Sequence, residues 1–152
     1  MSFRVPGSSP LASVSRRFIV IALLMVAGTA PGIADAQAIR IGLPVPLTGP
    51  YGAEAKDQVS NAELAVREFN ESGGLNGRKA ELLVRDDKLN PGEAATRTLE
   101  LIEKDKVNFI VGGLSAATQL SINNVTRQRK LLYISISQSD AINEAADASP
   151  YT

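Results

Sequence analysis

Hydrophobic and polar positions follow two alternating periodicities from residue 39 onward. Short apolar runs rich in branched side chains predict strands at Ile39–Val45, 79–85, 107–111 and 131–134. The segments between them repeat apolar residues at helical spacing, which predicts helices over 53–72, 90–106 and 115–130. Strands that alternate with helices in this way are typical of an α/β fold with a doubly wound parallel sheet.

Each predicted helix has one apolar face and a recognisable start or end. The faces predicted to be buried are Val59, Ala62, Val66 and Phe69, then Ala95, Leu99 and Ile102, then Thr118, Ile122 and Val125. Asn90, Pro91 and Glu93 have the types and spacing of an N-cap, a first helical residue and an acid that closes a capping box. The glycines at 73–74 predict a left-handed helix end, and Asn76-Gly77 predicts a tight turn.

Ligands of doubly wound sheets bind beyond the carboxyl ends of the strands, near the topological switch point. Three loops are predicted to meet there, at 46–52, 112–118 and 135–140. The second loop follows a short apolar strand, contains Gly112-Gly113 and leads into a helix at Ser115. A helix start presents backbone N–H groups and a positive dipole end, so this junction is the predicted ligand-facing point.

The loops after the third and fourth strands carry small hydroxyl side chains. Ser115 opens the run Ser-Ala-Ala-Thr, and Ser137 and Ser139 lie in the run Ser-Ile-Ser-Gln-Ser-Asp. Hydroxyls beside free backbone donors orient a carboxylate or another compact polar ligand and perform no chemistry on it. Ser115 is also a normal N-cap residue, and the two roles are compatible. Tyr51 in the first loop either forms a wall of the site or is an exposed turn residue.

The composition favours a binding protein over an enzyme. The chain has no Cys and no His, which excludes a thiol nucleophile, a Ser-His-Asp triad and a thiolate or imidazole metal site. No G-x-G-x-x-G motif follows the first strand, so a dinucleotide cofactor is disfavoured, and no cofactor or metal is expected. Sixteen basic side chains balance sixteen acidic ones, so no basic field indicates nucleic acid.

Asp86 and Asp87 are adjacent carboxylates that follow the second strand. Such a pair occurs in magnesium and receiver-type sites. A receiver domain would also need acidic residues near the end of the first strand, where the chain reads Pro-Val-Pro-Leu. A solvated or salt-bridged role for both side chains is therefore the favoured interpretation.

Residues 1–36 have the three parts of a secretory signal peptide. Arg4, Arg16 and Arg17 precede an apolar run at 18–27, and Ala34-Asp35-Ala36 provides a cleavage site, with Ala36-Gln37-Ala38 as an alternative. The apolar run is short for a membrane span, and no Cys follows it to carry a lipid. We expect export to the periplasm and a mature domain over residues 37–152.

The chain resembles the opening of leucine/isoleucine/valine-type periplasmic solute-binding proteins. The resemblance rests on an ordered set of motifs: Ile-Arg-Ile-Gly-Leu at 39–43, Pro-Leu-Thr-Gly-Pro-Tyr-Gly at 46–52, Phe-Asn-Glu-Ser-Gly-Gly-Leu-Asn-Gly-Arg at 69–78, Asp-Asp at 86–87, Ile-Val-Gly-Gly-Leu-Ser-Ala-Ala-Thr-Gln at 110–119 and Tyr-Ile-Ser at 133–135. It implies the flavodoxin-like N-terminal lobe of a type I periplasmic binding protein. Complete members have two lobes and are more than twice as long. We therefore expect a truncated lobe that binds solute weakly or not at all alone.

The resemblance also implies a function and a site. The function is the substrate-binding component of an ABC transporter, which delivers an amino acid to a permease. The residues implied to contact the small-molecule ligand are Tyr51, Ser115, Ala116, Thr118, Ser137, Gln138 and Ser139. Amino-acid binders often have a Pro-Gly or Pro-Ala-small-Thr run in the fourth-strand loop, so a branched-chain amino acid and a related polar solute or amide both remain possible. The alternative function is ligand sensing by the same fold in a receptor or regulator.

Overall fold

The computed structural model describes Ser2 and residues 37–140, 142 and 148–152. The predicted signal peptide therefore lies outside the described residues, apart from Ser2. From 141 to 148, where the sequence could start one more helix or turn, only 142 and 148 are described. No helix in the described part of the chain is long and apolar enough to cross a membrane.

Seven elements alternate between residues 39 and 135, as the periodicity predicts. They are β1 (Ile39–Val45), α1 (Gly52–Glu71), β2 (Ala80–Asp86), α2 (Pro91–Glu103), β3 (Phe109–Gly112), α3 (Ala116–Arg129) and β4 (Leu132–Ser135). The prediction placed the start of β3 two residues too early. Val107 is apolar and buried, but its N–H donates to the Leu101 carbonyl at 3.1 Å, so it belongs to the exit from α2.

The four strands form one parallel sheet in the order β2-β1-β3-β4. The chain moves outward from β1 to β2 and then returns past β1 to β3, so the winding reverses between β1 and β3. Side chains on one face of the sheet pack with α1, and those on the other face pack with α2 and α3. This arrangement confirms the doubly wound α/β prediction and places the switch point beside the loops after β1 and β3.

The buried faces of the helices differ in part from the predicted ones. In α1, Val59 and Ala62 pack on the core, whereas Val66 and Phe69 line an apolar groove of about 440 Å³. In α2 the prediction was displaced by one position: the fully buried residues are Ala94, Thr98 and Leu101, while Ala95, Leu99 and Ile102 are half-buried. This helix packs on the sheet and on α3 together, so its buried face is centred between the two neighbours.

The same displacement occurs at the end of α3, where Thr118 and Ile122 are buried as predicted but Val125 is not. Thr126 is buried instead. Its hydroxyl donates to the carbonyls of Ile122 and Asn123, at 3.0 and 3.1 Å, and so needs no water.

The helix ends follow their predicted chemistry with one exception. Asn90 caps α2 by accepting hydrogen bonds from the N–H groups of Gly92 and Glu93, at 2.8 and 3.1 Å. Glu93 does not close the predicted capping box, because the Asn90 N–H already donates to the Asp87 carbonyl at 2.9 Å. The Glu93 carboxylate lies 3.4 Å from Arg97 instead.

Candidate functional site at the carboxyl ends of the strands

An open depression of about 650 Å³ lies where the loops after the four strands come together. The residues that line it are Tyr51, Glu54, Gln58, Leu89, Leu114, Ser115, Ala116, Ile136, Ser137, Gln138 and Ser139. They come from the loop before α1, the first two turns of α1, the β2–α2 turn, the β3–α3 turn and the loop after β4. The structure therefore brings the three predicted loops to one surface.

Six of the seven predicted ligand contacts line this depression, and Thr118 does not. Thr118 is fully buried beneath the start of α3. Its N–H donates to the Ser115 hydroxyl at 3.2 Å, and its own hydroxyl donates to the Ser115 carbonyl at 3.0 Å. Thr118 therefore holds the helix start in place from below.

The start of α3 presents unused donors to the depression. Ser115 is the N-cap, as predicted, and the structure shows that it forms a capping box with Thr118. The Ala116 N–H, at the first helical position, has no hydrogen-bond partner among the described residues. Ala116 also lines the depression, so this N–H and the dipole of α3 are available to an anionic group.

The Gly112-Gly113 turn is packed too closely for side chains. A Cβ on Gly112 would lie 2.5 Å from the Pro44 carbonyl oxygen, and a Cβ on Gly113 would lie 2.4 Å from the Tyr133 hydroxyl. Gly113 also has a φ of +79°, in the left-handed region that favours glycine. The two glycines therefore let the backbone after β3 pass directly beside β1 and β4.

Tyr133 connects this turn to the loop after β4. Its hydroxyl is buried and donates to the Gly112 carbonyl at 3.1 Å, and the Ile136 N–H donates to the same carbonyl at 3.1 Å. Burial raises the pKa of Tyr133 to about 12, so the hydroxyl stays protonated and remains a donor. One carbonyl oxygen thus fixes two walls of the depression relative to each other.

The loop after β4 is shaped by its own hydroxyls. The Ser137 N–H donates to the Ser135 hydroxyl at 3.2 Å, and the Ser139 N–H donates to the Ser137 hydroxyl at 3.3 Å. Gln119 Nε2 donates to the Ser139 carbonyl at 3.2 Å from below. The Ser137 hydroxyl accepts a hydrogen bond in this arrangement, which leaves its hydrogen to donate to a ligand.

Asp86 holds the first loop, and its half-buried side chain remains partly exposed to solvent, in keeping with the predicted solvated role. Its carboxylate accepts from the Leu47 N–H at 2.9 Å, the Thr48 hydroxyl at 2.7 Å and the Lys88 N–H at 2.9 Å. Burial by itself would raise the pKa of Asp86. The hydrogen bonds, that from the Thr48 hydroxyl first, outweigh burial and lower this pKa below its ordinary value.

The prediction of a solvated or salt-bridged side chain was wrong for Asp87, because this side chain is fully buried. Its Oδ1 accepts from the Leu89 N–H at 2.8 Å, and its Oδ2 has no partner among the described residues. Burial raises the pKa of Asp87, and the neighbouring Asp86 charge raises it further, against the lowering effect of the Leu89 hydrogen bond. Lys88 and Leu89 have φ values of +53° and +57°, so Asp87 supports an unfavourable backbone turn that places Leu89 in the depression wall.

Five lining residues were missed by the sequence reasoning: Glu54, Gln58, Leu89, Leu114 and Ile136. A signal for two of them was present, because Tyr51, Glu54 and Gln58 are spaced by three and four residues. This spacing repeats along one side of a helix, so assigning Tyr51 to the site implies the other two. Leu89 carried no such signal, since it depends on the turn that Asp87 supports.

The lining has an uneven charge. Among the described residues that line it, Glu54 is the only acidic or basic side chain, and it lies on the α1 side, whereas the unused donor of Ala116 lies at the start of α3. No group of three or more Asp and Glu side chains within the described ranges is arranged to hold a metal ion. The residues present can orient a ligand through hydrogen bonds and charge.

Comparison with known proteins gives related sequences and structures. The chain is 28% identical over 115 residues to a leucine-, isoleucine-, valine-, threonine- and alanine-binding protein from Pseudomonas aeruginosa, a match that covers 76% of this chain and 31% of that protein. The branched-chain amino acid transporter substrate-binding protein LivJ from Streptococcus pneumoniae, solved with isoleucine, is 27% identical with a TM-score of 0.65, over 69% of this chain and 30% of that one.

A third similar protein is a solute-binding protein of an ABC transporter from Rhodopseudomonas palustris, solved with 3,4-dihydroxybenzoic acid. It is 29% identical with a TM-score of 0.64, over 76% of this chain and 30% of that one. The chain thus spans about a third of the length of the relatives it matches. These relatives are substrate-binding proteins rather than enzymes. Residues 38–152 match the family model described as periplasmic binding protein, and the chain belongs to that family.

Proposed function

We propose that the chain forms one wall of the solute site in the substrate-binding component of an ABC importer for amino acids or related small polar metabolites and amides. The observation that carries this proposal is the depression itself. It gathers six of the predicted contacts around an unused helix N-terminal donor. The chain has no role in catalysis in this proposal, because the lining orients a ligand and contains no paired acid and base.

The α3 side of the depression suits a carboxylate. The Ala116 N–H and the positive end of the α3 dipole attract the anion, and the hydroxyls of Ser115 and Ser137 add short-range hydrogen bonds. The ligands named with two of the similar structures, isoleucine and 3,4-dihydroxybenzoic acid, both contain a carboxyl group. This common feature supports a carboxylate as the group that the α3 side binds.

The cellular setting belongs to the same proposal. We place the protein in the periplasm, reached through the signal peptide predicted at 1–36, with an ABC transporter permease as its partner. The similar proteins named above support this setting, since two of them are described as transporter components.

The test is a titration of the full ¹⁵N-labelled chain followed by heteronuclear NMR. L-Leucine is the ligand, and 3-methylbutylamine, which lacks only the carboxylate, is its matched control. We expect the amide signals of Ser115, Ala116 and Ser137 to shift with leucine, in the millimolar range because the depression is open, and not with the amine. Absence of shifts at these amides with leucine and with a panel of other amino acids would overturn the proposal.

A further inference from the structure

The α1 side of the depression carries two hydrogen-bond acceptors one helical turn apart. Glu54 and Gln58 both line it, and Glu54 is the only acidic or basic side chain that the described part of the chain contributes to the lining. None of the ion pairs formed within the described part of the chain includes Glu54. Its charge is therefore not neutralised by a neighbouring side chain in that part.

Gln58 adds an acceptor that lacks a donor. Its Oε1 is screened from solvent and has no hydrogen-bond partner among the described residues. A screened acceptor without a partner is unfavourable, so a donor that reaches it gains more than the same donor would gain in water. Gln58 lines the depression, so a rotation of its side-chain amide would present this oxygen to a ligand.

The depression is therefore polarised from one side to the other. The start of α3 offers an N–H donor and a positive dipole end, whereas α1 offers the Glu54 carboxylate and the Gln58 oxygen. A ligand carboxylate is attracted to the first side and repelled by the second. A cationic or N–H-bearing group is favoured on the second side for the same reason.

We infer that Glu54 and Gln58 are specificity-determining residues, which select solutes with an ammonium or amide group at the end opposite the carboxylate over purely aliphatic amino acids. This inference rests on the proposed function, because it needs the carboxylate to lie at α3. It narrows the ligand class from amino acids in general to those with a donor at the end of the side chain.

Another explanation for Glu54 alone is the α1 dipole. Glu54 lies in the first turn of α1, and Tyr51 at the N-cap makes no side-chain hydrogen bond to the helix, so a carboxylate there stabilises the helix start. This explanation does not cover Gln58, which lies in the second turn and carries no charge. Both side chains line the depression, so we assign them to ligand selection.

The experiment uses L-lysine and L-norleucine. Both have the same unbranched carbon side chain, and lysine carries an additional ammonium on its terminal carbon. Each amino acid is titrated into three full ¹⁵N-labelled chains: the wild type, Glu54→Gln and Glu63→Gln. Glu63→Gln is the control, because Glu63 is exposed on the same helix and lies outside the depression. We expect lysine to bind about tenfold more tightly than norleucine, the size of one charge-assisted hydrogen bond. Glu54→Gln should remove this preference, and Glu63→Gln should leave it intact.

The outcomes separate the two proposals. Equal affinities for lysine and norleucine, or a preference that survives Glu54→Gln, would overturn the role of Glu54 while shifts at Ser115 and Ala116 still support the site. If neither amino acid shifts any amide of the depression, the proposed function fails and the selection inferred from it fails as well. Gln58→Met is a second variant, expected to weaken lysine binding, and lysine binding as tight as that of the wild type would overturn the role of Gln58.

Discussion

The Thr48 hydroxyl donates a 2.7 Å hydrogen bond to Oδ2 of Asp86, and so joins the loop after β1 to the end of β2. The other oxygen of the same carboxylate accepts from the Leu47 and Lys88 N–H groups. One side chain therefore fixes the loop that leads to Tyr51 and the turn that leads to Leu89. Both of these residues lie in the wall of the depression.

Removing the charge of Asp86 should destabilise the fold in a pH-dependent manner. Asp86→Asn weakens three hydrogen bonds to the carboxylate, and we expect a loss of about 1–3 kcal/mol in the free energy of unfolding at neutral pH. The pKa of Asp86 is lower in the folded state than in the unfolded state. The ionised carboxylate therefore stabilises the fold above pH 3.8, the pKa of the unfolded chain, and this stabilisation is lost as the pH falls through the folded-state pKa. Urea unfolding of both chains from neutral to acidic pH measures this difference.

Thr48→Val is the matched control, because it removes one of these hydrogen bonds and leaves the carboxylate in place. It should cost about 1 kcal/mol, with a weaker dependence on pH than Asp86→Asn. A difference between the wild type and Asp86→Asn that stays constant down to strongly acidic pH would contradict a charge-dependent role for Asp86.

The adjacent Asp87 should respond in the opposite direction. The pKa of Asp87 is higher in the folded state than in the unfolded state. The protonated side chain therefore stabilises the fold most below pH 3.8, the pKa of the unfolded chain, and this stabilisation is lost as the pH rises through the folded-state pKa. Asp87→Asn resembles the protonated form and can still accept from the Leu89 N–H. We expect it to match or exceed the wild type in free energy of unfolding at neutral pH.

Asp87→Ala distinguishes the hydrogen bond from the charge. It removes the acceptor of the Leu89 N–H and leaves Lys88 and Leu89 in left-handed conformations without support, so we expect a loss of about 1–3 kcal/mol. Urea titrations at neutral pH compare the three chains. A neutral-pH loss for Asp87→Asn as large as that for Asp87→Ala would show that the charge itself is needed.

The fold was predictable from sequence because its signals are local and agree with one another. Apolar runs mark the strands, and Gly112-Gly113 followed by Ser115 marks a turn where the chain must pass close to its neighbours and then start a helix. The predicted site followed from topology, since the carboxyl ends of parallel strands share one edge of the sheet.

What could not be predicted are polar residues whose positions depend on hydrogen bonds to nearby backbone groups. Thr126 is buried because its hydroxyl bonds to the carbonyls of α3, and Asp87 is buried because it supports the turn to Leu89. Glu54 could be inferred only through its helical spacing from Tyr51, because the apolar pattern of α1 marks the face towards the sheet and not the side towards the loops. Hydrophobic periodicity carries no information on such residues.

The close contact of Gly113 with Tyr133 predicts a measurable coupling. Gly113→Ala places a Cβ 2.4 Å from the Tyr133 hydroxyl in a conformation with a φ of +79°, and we expect a loss of at least about 2 kcal/mol in the free energy of unfolding. Tyr133→Phe alone should cost about 1 kcal/mol, because it removes the hydrogen bond to the Gly112 carbonyl.

In the double variant the clash with the hydroxyl is gone, while the left-handed backbone and the 3.1 Å approach to Gln119 Cα remain. The two losses should therefore sum to more than the loss in the double variant, by about 0.5–3 kcal/mol. Denaturant unfolding of the four chains gives this coupling energy. If the two losses were additive, the Tyr133 hydroxyl would not be the group that clashes with a Cβ at position 113.

Ala116 offers a test of the α3 donor that preserves the helix. Proline is favoured at the first helical position and lacks only the N–H, and Ser115 has φ −98° and ψ 155°, an extended conformation that a following proline accepts. Ala116→Pro should therefore leave the free energy of unfolding nearly unchanged. It should weaken binding of L-leucine about tenfold, the loss expected for one hydrogen bond to a charged group. Ala116→Gly, which keeps the N–H, is the control and should bind as the wild type does. NMR titration at the amides of Ser137 and Ser139 measures both affinities without relying on the altered residue. If Ala116→Pro bound leucine as tightly as Ala116→Gly, the N–H at the start of α3 would not be the group that holds the carboxylate.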